Sequence, residues 1–332
     1  MRTRRTISPK DMIRALVAVV ALILLIVGCL VVLQRWQEHQ RTQTISASQD
    51  NRKTLEYQGT TYAARDGVDT YLFMGIDVEG PAKGNKGYIG GGQADVQLLL
   101  VVDRFNGTWQ VLQINRDSMV QVPVLGVTGT EVGTEYQQIA LAHSYGDGLE
   151  TSCENNVTAV SRLFNNQYIN GYMSLNMDAI SILNDAVGGV EVTLLDDFSD
   201  TDSSLVKGKT VTLSGDQAMA YVRGRQGVGD ETNLSRMARQ QQYLDGLYQK
   251  VTGLSTGAAV EAFQSVEDYM VTNMGDQWLK LMDRLKEYTK LEPLSIDGEN
   301  YLDEQGSTAY RLDEESLQQV MIQLFYEPIS QQ

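Results

Sequence analysis

The chain has 332 residues, 42% of them hydrophobic, and a formal net charge of −15. That length and apolar content suit one large or two small folded domains. The acidic balance argues against nucleic acid as a partner.

Residues 1–14 carry Arg2, Arg4, Arg5, Lys10 and Arg14 against Asp11 alone. Residues 15–33, ALVAVVALILLIVGCLVVL, follow as an uncharged apolar run, long enough to cross a bilayer as a helix. The basic excess ahead of it places the N-terminus in the cytoplasm and the rest outside. Ile26-Val27-Gly28-Cys29 also resembles a lipoprotein processing site. The run continues past Cys29 through Leu33, however, and Trp36 suits an interfacial anchor, so an uncleaved anchor is expected. Cys153 then has no partner outside the membrane, and no intrachain disulfide is expected. Beyond residue 41 the chain keeps 20 basic and 40 acidic residues, a net charge of −20.

Residues 34–65 are polar, lack a sustained apolar period and suit a linker or stalk. From Val68 the chain reads as one α/β domain over residues 66–330. VDTYLFMGID is a buried strand ending at Asp77. A Gly-rich loop leads to a second strand, ADVQLLLVVD, that starts near Asp95. Asn106-Gly107 is a hairpin turn signal, and TWQVLQI is a third strand running into Asn115-Arg116-Asp117. Helices are expected over 146–165, opened by Asp147 or Thr151, and over 176–187. Strands are expected over 168–176 and 190–197, and a capped short helix over 212–223. A long helix capped by Asn233 or Ser235 runs to Val251. Three more helices are expected over 259–274, 276–291 and 313–328.

The segment YVRGRQGVGDETNLSRMARQQQ, Tyr221 to Gln242, gathers Arg223, Arg225, Arg236, Arg239 and Gln240 in an acidic chain. The planar guanidinium fork donates two parallel hydrogen bonds to phosphate. Arginines near a helix N-terminus oppose the macrodipole unless an anion joins them. Surface pairing of these arginines with Asp230 and Glu231 is the bland alternative. Asp77 and Asp95 flank the Gly-rich loop, and strand pairing would bring both to one sheet edge, where two carboxylates suit Mg²⁺; simple turn caps would look the same. Arg116 would point to that edge, or pair with Asp117. His143 stands without a catalytic or metal-ligand spacing around it and reads as structural.

FMGID, GGQADVQLLLVVD, LQINRDSMVQVP and AMAYVRGRQGVGDETNLSRMARQQQ, in that order, resemble the LytR-CpsA-Psr family of membrane-anchored cell-wall enzymes. ALAHSYGDG and DAVGGVEVTLLDDF are similar to its middle segments. The resemblance implies an α-β-α sandwich with a central mixed sheet, one transmembrane helix before it, and an apolar channel for a prenyl chain. It implies transfer of a glycopolymer phosphate (teichoic acid, capsule or another wall polysaccharide) from a polyprenyl-pyrophosphate precursor to peptidoglycan, releasing polyprenyl phosphate, outside the membrane of a Gram-positive-type cell. Carried over by motif, Asp77 and Asp95 hold Mg²⁺, with Mn²⁺ as a substitute. Arg116, Arg223, Arg225, Arg236, Arg239 and Gln240 grip the pyrophosphate, and Asp95, Arg116, Arg225 and Arg236 carry the catalysis. Asp95, Asp117 and Asp230 are the candidate bases. The chain departs from the family at Gln93-Ala94-Asp95, where Arg-Ser-Asp is usual, at Asn115 in place of Pro, and at Gln138-Ile139-Ala140 in place of Lys-Ile-Asn. The missing arginine motivates a second expectation, a non-catalytic polyprenyl-pyrophosphate binding protein or sensor.

Overall fold

The computed structural model describes residues 52–85, 90–225 and 227–329. The apolar run at 15–33 lies outside them, and no helix among the described residues is long and apolar enough to cross a membrane. Two compact units are formed, one from the described residues up to Ala64 together with those from Glu327, the other from Arg65–Tyr326.

In the small unit, β1 (Thr54–Tyr57) and β2 (Thr60–Ala64) pair antiparallel. Gln58 and Gly59 both have positive φ, 48° and 77°, as a tight two-residue hairpin turn requires. Arg52 pairs with Glu327 at 2.8 Å.

In the large unit, β3 (Val68–Ile76), β4 (Ala94–Asp103) and β5 (Thr108–Ile114) form an antiparallel meander. The chain then leaves the sheet as the hairpin β6 (Met119–Leu125) and β7 (Glu131–Gln138), makes a 3-10 helix over Ile139–Ser144, and enters α1 (Glu150–Leu163). β8 (Gly171–Asn176) returns parallel to β3. After it come α2 (Asp178–Ala186), the ribbon of β9 (Glu191–Thr193) and β10 (Thr210–Thr212), α3 (Gly215–Arg223), α4 (Asn233–Gly253) and α5 (Thr256–Gln264). β11 (Met270–Thr272) adds antiparallel to β8, and α6 (Gln277–Glu287) follows. β12 (Thr289–Lys290) and β13 (Leu294–Ser295) both lie parallel to β5. The hairpin β14 (Gly298–Leu302) and β15 (Thr308–Leu312) precedes α7 (Glu314–Phe325). The central mixed sheet has the order β11-β8-β3-β4-β5-β12, with β13 also on β5.

Alternation along the strands divides the core. Tyr71, Leu100, Val102 and Trp109 pack with Leu281 and Leu285 of α6. The opposite face carries Met74 and Gln97, both bonded by the buried Asn156 of α1, at 3.3 and 3.1 Å. Helices thus cover both faces of the sheet.

Several elements differ from expectation. The helix expected over 259–274 stops at Gln264, and Met270-Val271-Thr272 becomes an edge strand on β8; its β-branched residues suit a strand. The helix over 276–291 ends at Glu287, and Thr289-Lys290 pairs with β5. The strand over 190–197 is regular only over Glu191–Thr193. The hairpins β6–β7 and β14–β15 were not anticipated: β7 is almost wholly exposed, so it lacks the apolar alternation that betrays a strand. Asp147 does open α1, by accepting hydrogen bonds from the backbone N–H groups of Leu149 and Ser152 at 2.8 and 3.3 Å. The cap of α4 is Thr232, whose side chain accepts from Ser235 N at 3.2 Å.

Candidate active site

One edge of the sheet collects the polar residues. β3 and β4 run antiparallel, so Asp77, just past β3, and Asp95, at the start of β4, share an edge. A bulge between Gly75 and Ile76 bends the strand there. β5 runs antiparallel to β4 and delivers Asn115-Arg116-Asp117 to the same edge.

These residues form a continuous network. Asp77 N donates to Gln93 O at 3.0 Å, and Gln93 N donates back to the Asp77 carboxylate. Arg116 donates through one Nη to the Gln93 side-chain oxygen and through the other to Asp95 Oδ1. Arg116 Nε lies 3.2 Å from Asp117 Oδ1. Asp95 Oδ2 accepts from Arg236 at 3.3 Å. Arg236 also donates twice to Asn233 Oδ1, at 3.0 and 2.6 Å, and Asn233 Nδ2 donates to Asn115 Oδ1 at 2.6 Å. Asn115, where the family pattern has proline, thus ties the third strand to the first turn of α4.

The remaining predicted residues divide. Gln240 is buried, donates to Val222 O at 3.1 Å and accepts from Gln113 at 3.1 Å. Arg223 is exposed at the end of α3, 3.8 Å from Glu79. Ser214 and Gln217 form a capping box at the start of that helix. Arg225 Nε donates to Glu231 O at 3.2 Å on the exposed segment that follows. Asp230 and Glu231 spend their carboxylates on Thr232 and on Gly227 N rather than on the arginines. Arg239 is apart from the network. It is fully buried, bonded to Asp196 and to the carbonyls of Tyr221 and Gly224, with its guanidinium 5.4 Å from the Phe198 ring. From these contacts it supports the segment that presents Arg223 and Arg225.

Burial raises the Asp95 carboxyl above the usual carboxylate range, against the pull of Arg116 and Arg236, and Asp77 adds to the rise. Burial likewise raises Asp117, against Arg116, Arg225 and Arg236. Burial lowers Arg236 from the usual guanidinium value, and Arg116 and Arg225 add to that by repulsion. Arg225 is therefore within electrostatic reach of the network. Arg116, Arg225 and Arg236 thus stand among Asp77, Asp95 and Asp117, with Arg223 exposed beside Glu79, so an anion at this edge competes with the carboxylates for the guanidinium groups.

Behind this rim lies a cavity of about 340 Å³ between the sheet and helices α2 to α6. Asp95, Arg223, Arg236 and Gln240 line it at the rim. Phe73, Leu98, Leu100, Val111, Leu183, Val222, Leu244, Leu247 and Phe263 are among the apolar residues that line the rest. Among the described residues no cluster of three or more His, Cys, Asp or Glu is placed to hold a metal ion. Two carboxylates close enough to interact are what remain, a donor set that fits Mg²⁺ completed by water and phosphate oxygens and does not fit a closed zinc site. His143 is buried, with Nδ1 3.1 Å from Gly92 O and Nε2 3.7 Å from Cys153 Sγ. The sequence marks Asn115 only as a departure from the family and Asn233 only as a candidate cap, and it does not mark Gln113 or Asp196 as supporting residues; the Asn233–Arg236 spacing of one helical turn is the one usable signal among them.

A family model, described as the LytR_cpsA_psr family, matches residues 31–325. A teichoic acid transferase TagU of Enterococcus faecalis is 28% identical over 256 residues, 76% of this chain and 77% of that protein. TagV of Bacillus subtilis, named a polyisoprenyl-teichoic acid–peptidoglycan teichoic acid transferase, is 27% identical over 84% of this chain and 71% of its own length. The crystal structure of B. subtilis TagV superposes with a TM-score of 0.61 at 25% identity, covering 78% of this chain and 96% of that one. A structure of TagT bound to LI-WTA shares the fold, with a TM-score of 0.59 at 22% identity over 78% of this chain and 90% of that one.

Proposed function

This chain belongs to the LytR-CpsA-Psr family, and we propose that it transfers a phosphate-linked glycopolymer from a polyprenyl-pyrophosphate carrier to peptidoglycan. The observation that carries this reading is the pairing of an arginine-lined rim with an apolar cavity. A pyrophosphate fits the first and a prenyl chain the second. The relatives named as polyisoprenyl-teichoic acid transferases support the same substrate class.

In the reaction, a peptidoglycan hydroxyl oxygen bonds to the phosphorus that carries the glycopolymer. The bridging oxygen leaves with polyprenyl phosphate, and the hydroxyl proton passes to a carboxylate. Arg116, Arg225 and Arg236 face the charge that builds on the transferred and departing phosphates. Asn233 holds Arg236, and Asp117 and Gln93 hold Arg116, apart from their contacts with Asp95, so little reorganisation opposes the step once the pyrophosphate is bound. Arg223 steers the anion from an exposed position, and Gln240 shapes the rim. Of the three candidate bases, Asp95 lines the cavity, whereas Asp230 is bound up in an exposed turn and Asp117 backs Arg116. Asp77 and Asp95 are the residues that would hold Mg²⁺ (or Mn²⁺), which supplies charge neutralisation at the pyrophosphate when bound. In the free protein Arg116 and Arg236 occupy the Asp95 carboxylate; an incoming pyrophosphate would draw the guanidinium groups away and leave that carboxylate for the cation.

The run at 15–33 would anchor the chain in the cell membrane as a single pass, with the catalytic unit outside, where the carrier lipid and wall meet. Full-length protein, a lipid-linked glycan pyrophosphate and peptidoglycan test the reading together. Release of polyprenyl phosphate that Arg225→Ala and Arg236→Ala abolish is expected. Undiminished release by both variants would put the site elsewhere.

A further inference from the structure

Deep along α4 the cavity wall changes character. Lys290 of β12 and Asp245 of α4 both line it and form an ion pair with each other. The Lys290 ammonium lies 5.5 Å from the centroid of Trp109 and 5.6 Å from that of Tyr248. Those two rings meet edge to face at 5.0 Å and also line the cavity. Gln241, one turn before Asp245, donates to Asp245 Oδ1 at 3.0 Å, and its own Oε1 is buried without a partner.

The pair is 29% and 41% exposed on its two sides, so this flank of the cavity meets solvent. β12 and β13 are two residues each and leave the outer side of β5 lightly covered. A partly exposed ion pair adds little stability. What this one does is bridge the gap between α4 and the sheet edge and occupy two aromatic faces that are otherwise apolar wall.

We propose that the Lys290–Asp245 pair is a clasp that sets how many isoprene units of the polyprenyl-pyrophosphate ligand the cavity encloses; this rests on the polyprenyl reading above. From Arg236 at the rim to Val251, the last residue of α4 lining the cavity, the helix advances about 22 Å at ~1.5 Å per residue. Four carbon–carbon bonds of ~1.5 Å make an extended isoprene unit about 5 Å long. The cavity therefore holds about four units along α4. A fifth or sixth unit folds back from the end of α4 along the flank, where Asp245 and Tyr248 stand about 14 and 18 Å from Arg236 at ~1.5 Å per residue. There it meets the ammonium group over Trp109 and Tyr248, which an alkyl chain cannot displace without uncovering a charge. With the clasp removed, the same ring faces become open apolar surface for those units.

Positional photolabelling reads this directly. Full-length protein in lipid nanodiscs is irradiated with long-chain prenyl pyrophosphates that carry a diazirine at either the fourth or the sixth isoprene unit. In the wild type the fourth-unit probe labels cavity residues of α4, and the sixth-unit probe leaves Trp109 and Tyr248 at background. In the Asp245→Ala, Lys290→Ala double variant the sixth-unit probe labels Trp109 or Tyr248 at a level comparable with the fourth-unit probe. Exchanging the charges, Asp245→Lys with Lys290→Asp, returns that label to background, and thermal unfolding confirms that each variant is folded. Sixth-unit labelling of Trp109 or Tyr248 in the wild type, or an unchanged pattern in the double alanine variant, overturns the clasp while leaving the polyprenyl reading in place. No labelling of the cavity by either probe in any variant overturns the polyprenyl reading, and the clasp with it.

Discussion

Arg239 and Arg225 sit 14 residues apart in the same arginine-rich segment, and their different surroundings predict opposite outcomes on substitution. Arg239 is fully buried and satisfies Asp196 and the carbonyls of Tyr221 and Gly224. Arg239→Ala leaves a mostly buried carboxylate and two carbonyls without their donor. Breaking a buried pair from one side costs about 3–5 kcal/mol. For a domain of this size that is a fall in Tm of about 6–20 °C. Arg225 makes one hydrogen bond to a carbonyl on an exposed segment, so Arg225→Ala changes stability by about 0.5 kcal/mol or less. On the proposed function it should also cost a charge-assisted contact to the pyrophosphate, about 2–5 kcal/mol or roughly 30- to 5000-fold in affinity. Thermal unfolding and prenyl-pyrophosphate binding, measured on both variants, separate the two roles. An Arg239→Ala protein that melts within about 2 °C of wild type and loses pyrophosphate binding would refute the assignment.

Mg²⁺ should bind weakly to the free protein and tightly with inorganic pyrophosphate present, because Asp77 and Asp95 leave most of its octahedron to water and phosphate; calorimetric titration giving equal affinity in both states contradicts this. Gln93→Arg places a second guanidinium where Gln93 now accepts from Arg116, so it should lower Tm yet tighten pyrophosphate binding, read by unfolding and titration on one sample. Burial holds the Cys153 thiol up at about 12; it should resist maleimide at pH 7 in the folded protein and react once unfolded, and prompt reaction of the native state would contradict its placement. Burial depresses the His143 pKa, so its neutral form stabilises the fold fully above about pH 6.5, and that contribution falls as the pH drops below it, by up to ~1.4 kcal/mol per pH unit. His143→Gln should flatten this part of the stability profile in denaturant titrations at pH 5–7; an unchanged slope would show that other groups set it.

The strands that place the site were legible because each is a long apolar run: Val68–Ile76, Ala94–Asp103 and Thr108–Ile114 stand close to where the sequence puts them. Asp77, Asp95 and Arg116 converge because strand pairing fixes their edge. The separation of Arg239 from Arg236 was not legible. Residues three apart share a helix face in the helical period, but Arg239 is pulled to Asp196, more than 40 positions away in the segment DAVGGVEVTLLDDF, a pairing that no local pattern marks. Lys290 was hidden for a related reason. An amphipathic period carries through 276–291, yet the last residues leave the helix to pair with the edge of β5, a tertiary choice that outweighs helix propensity. The short strand Met270–Thr272 was lost to the same cause.

Group transfer is read in a single reaction with mass balance. Full-length protein is incubated with a lipid-linked glycan pyrophosphate labelled with ³²P at the phosphorus next to the sugar, together with peptidoglycan and Mg²⁺. The label should move into peptidoglycan as a phosphodiester while unlabelled polyprenyl phosphate appears in equal amount. Tight binding of the labelled lipid with no transfer of label would contradict it and leave a lipid-binding protein or sensor in its place.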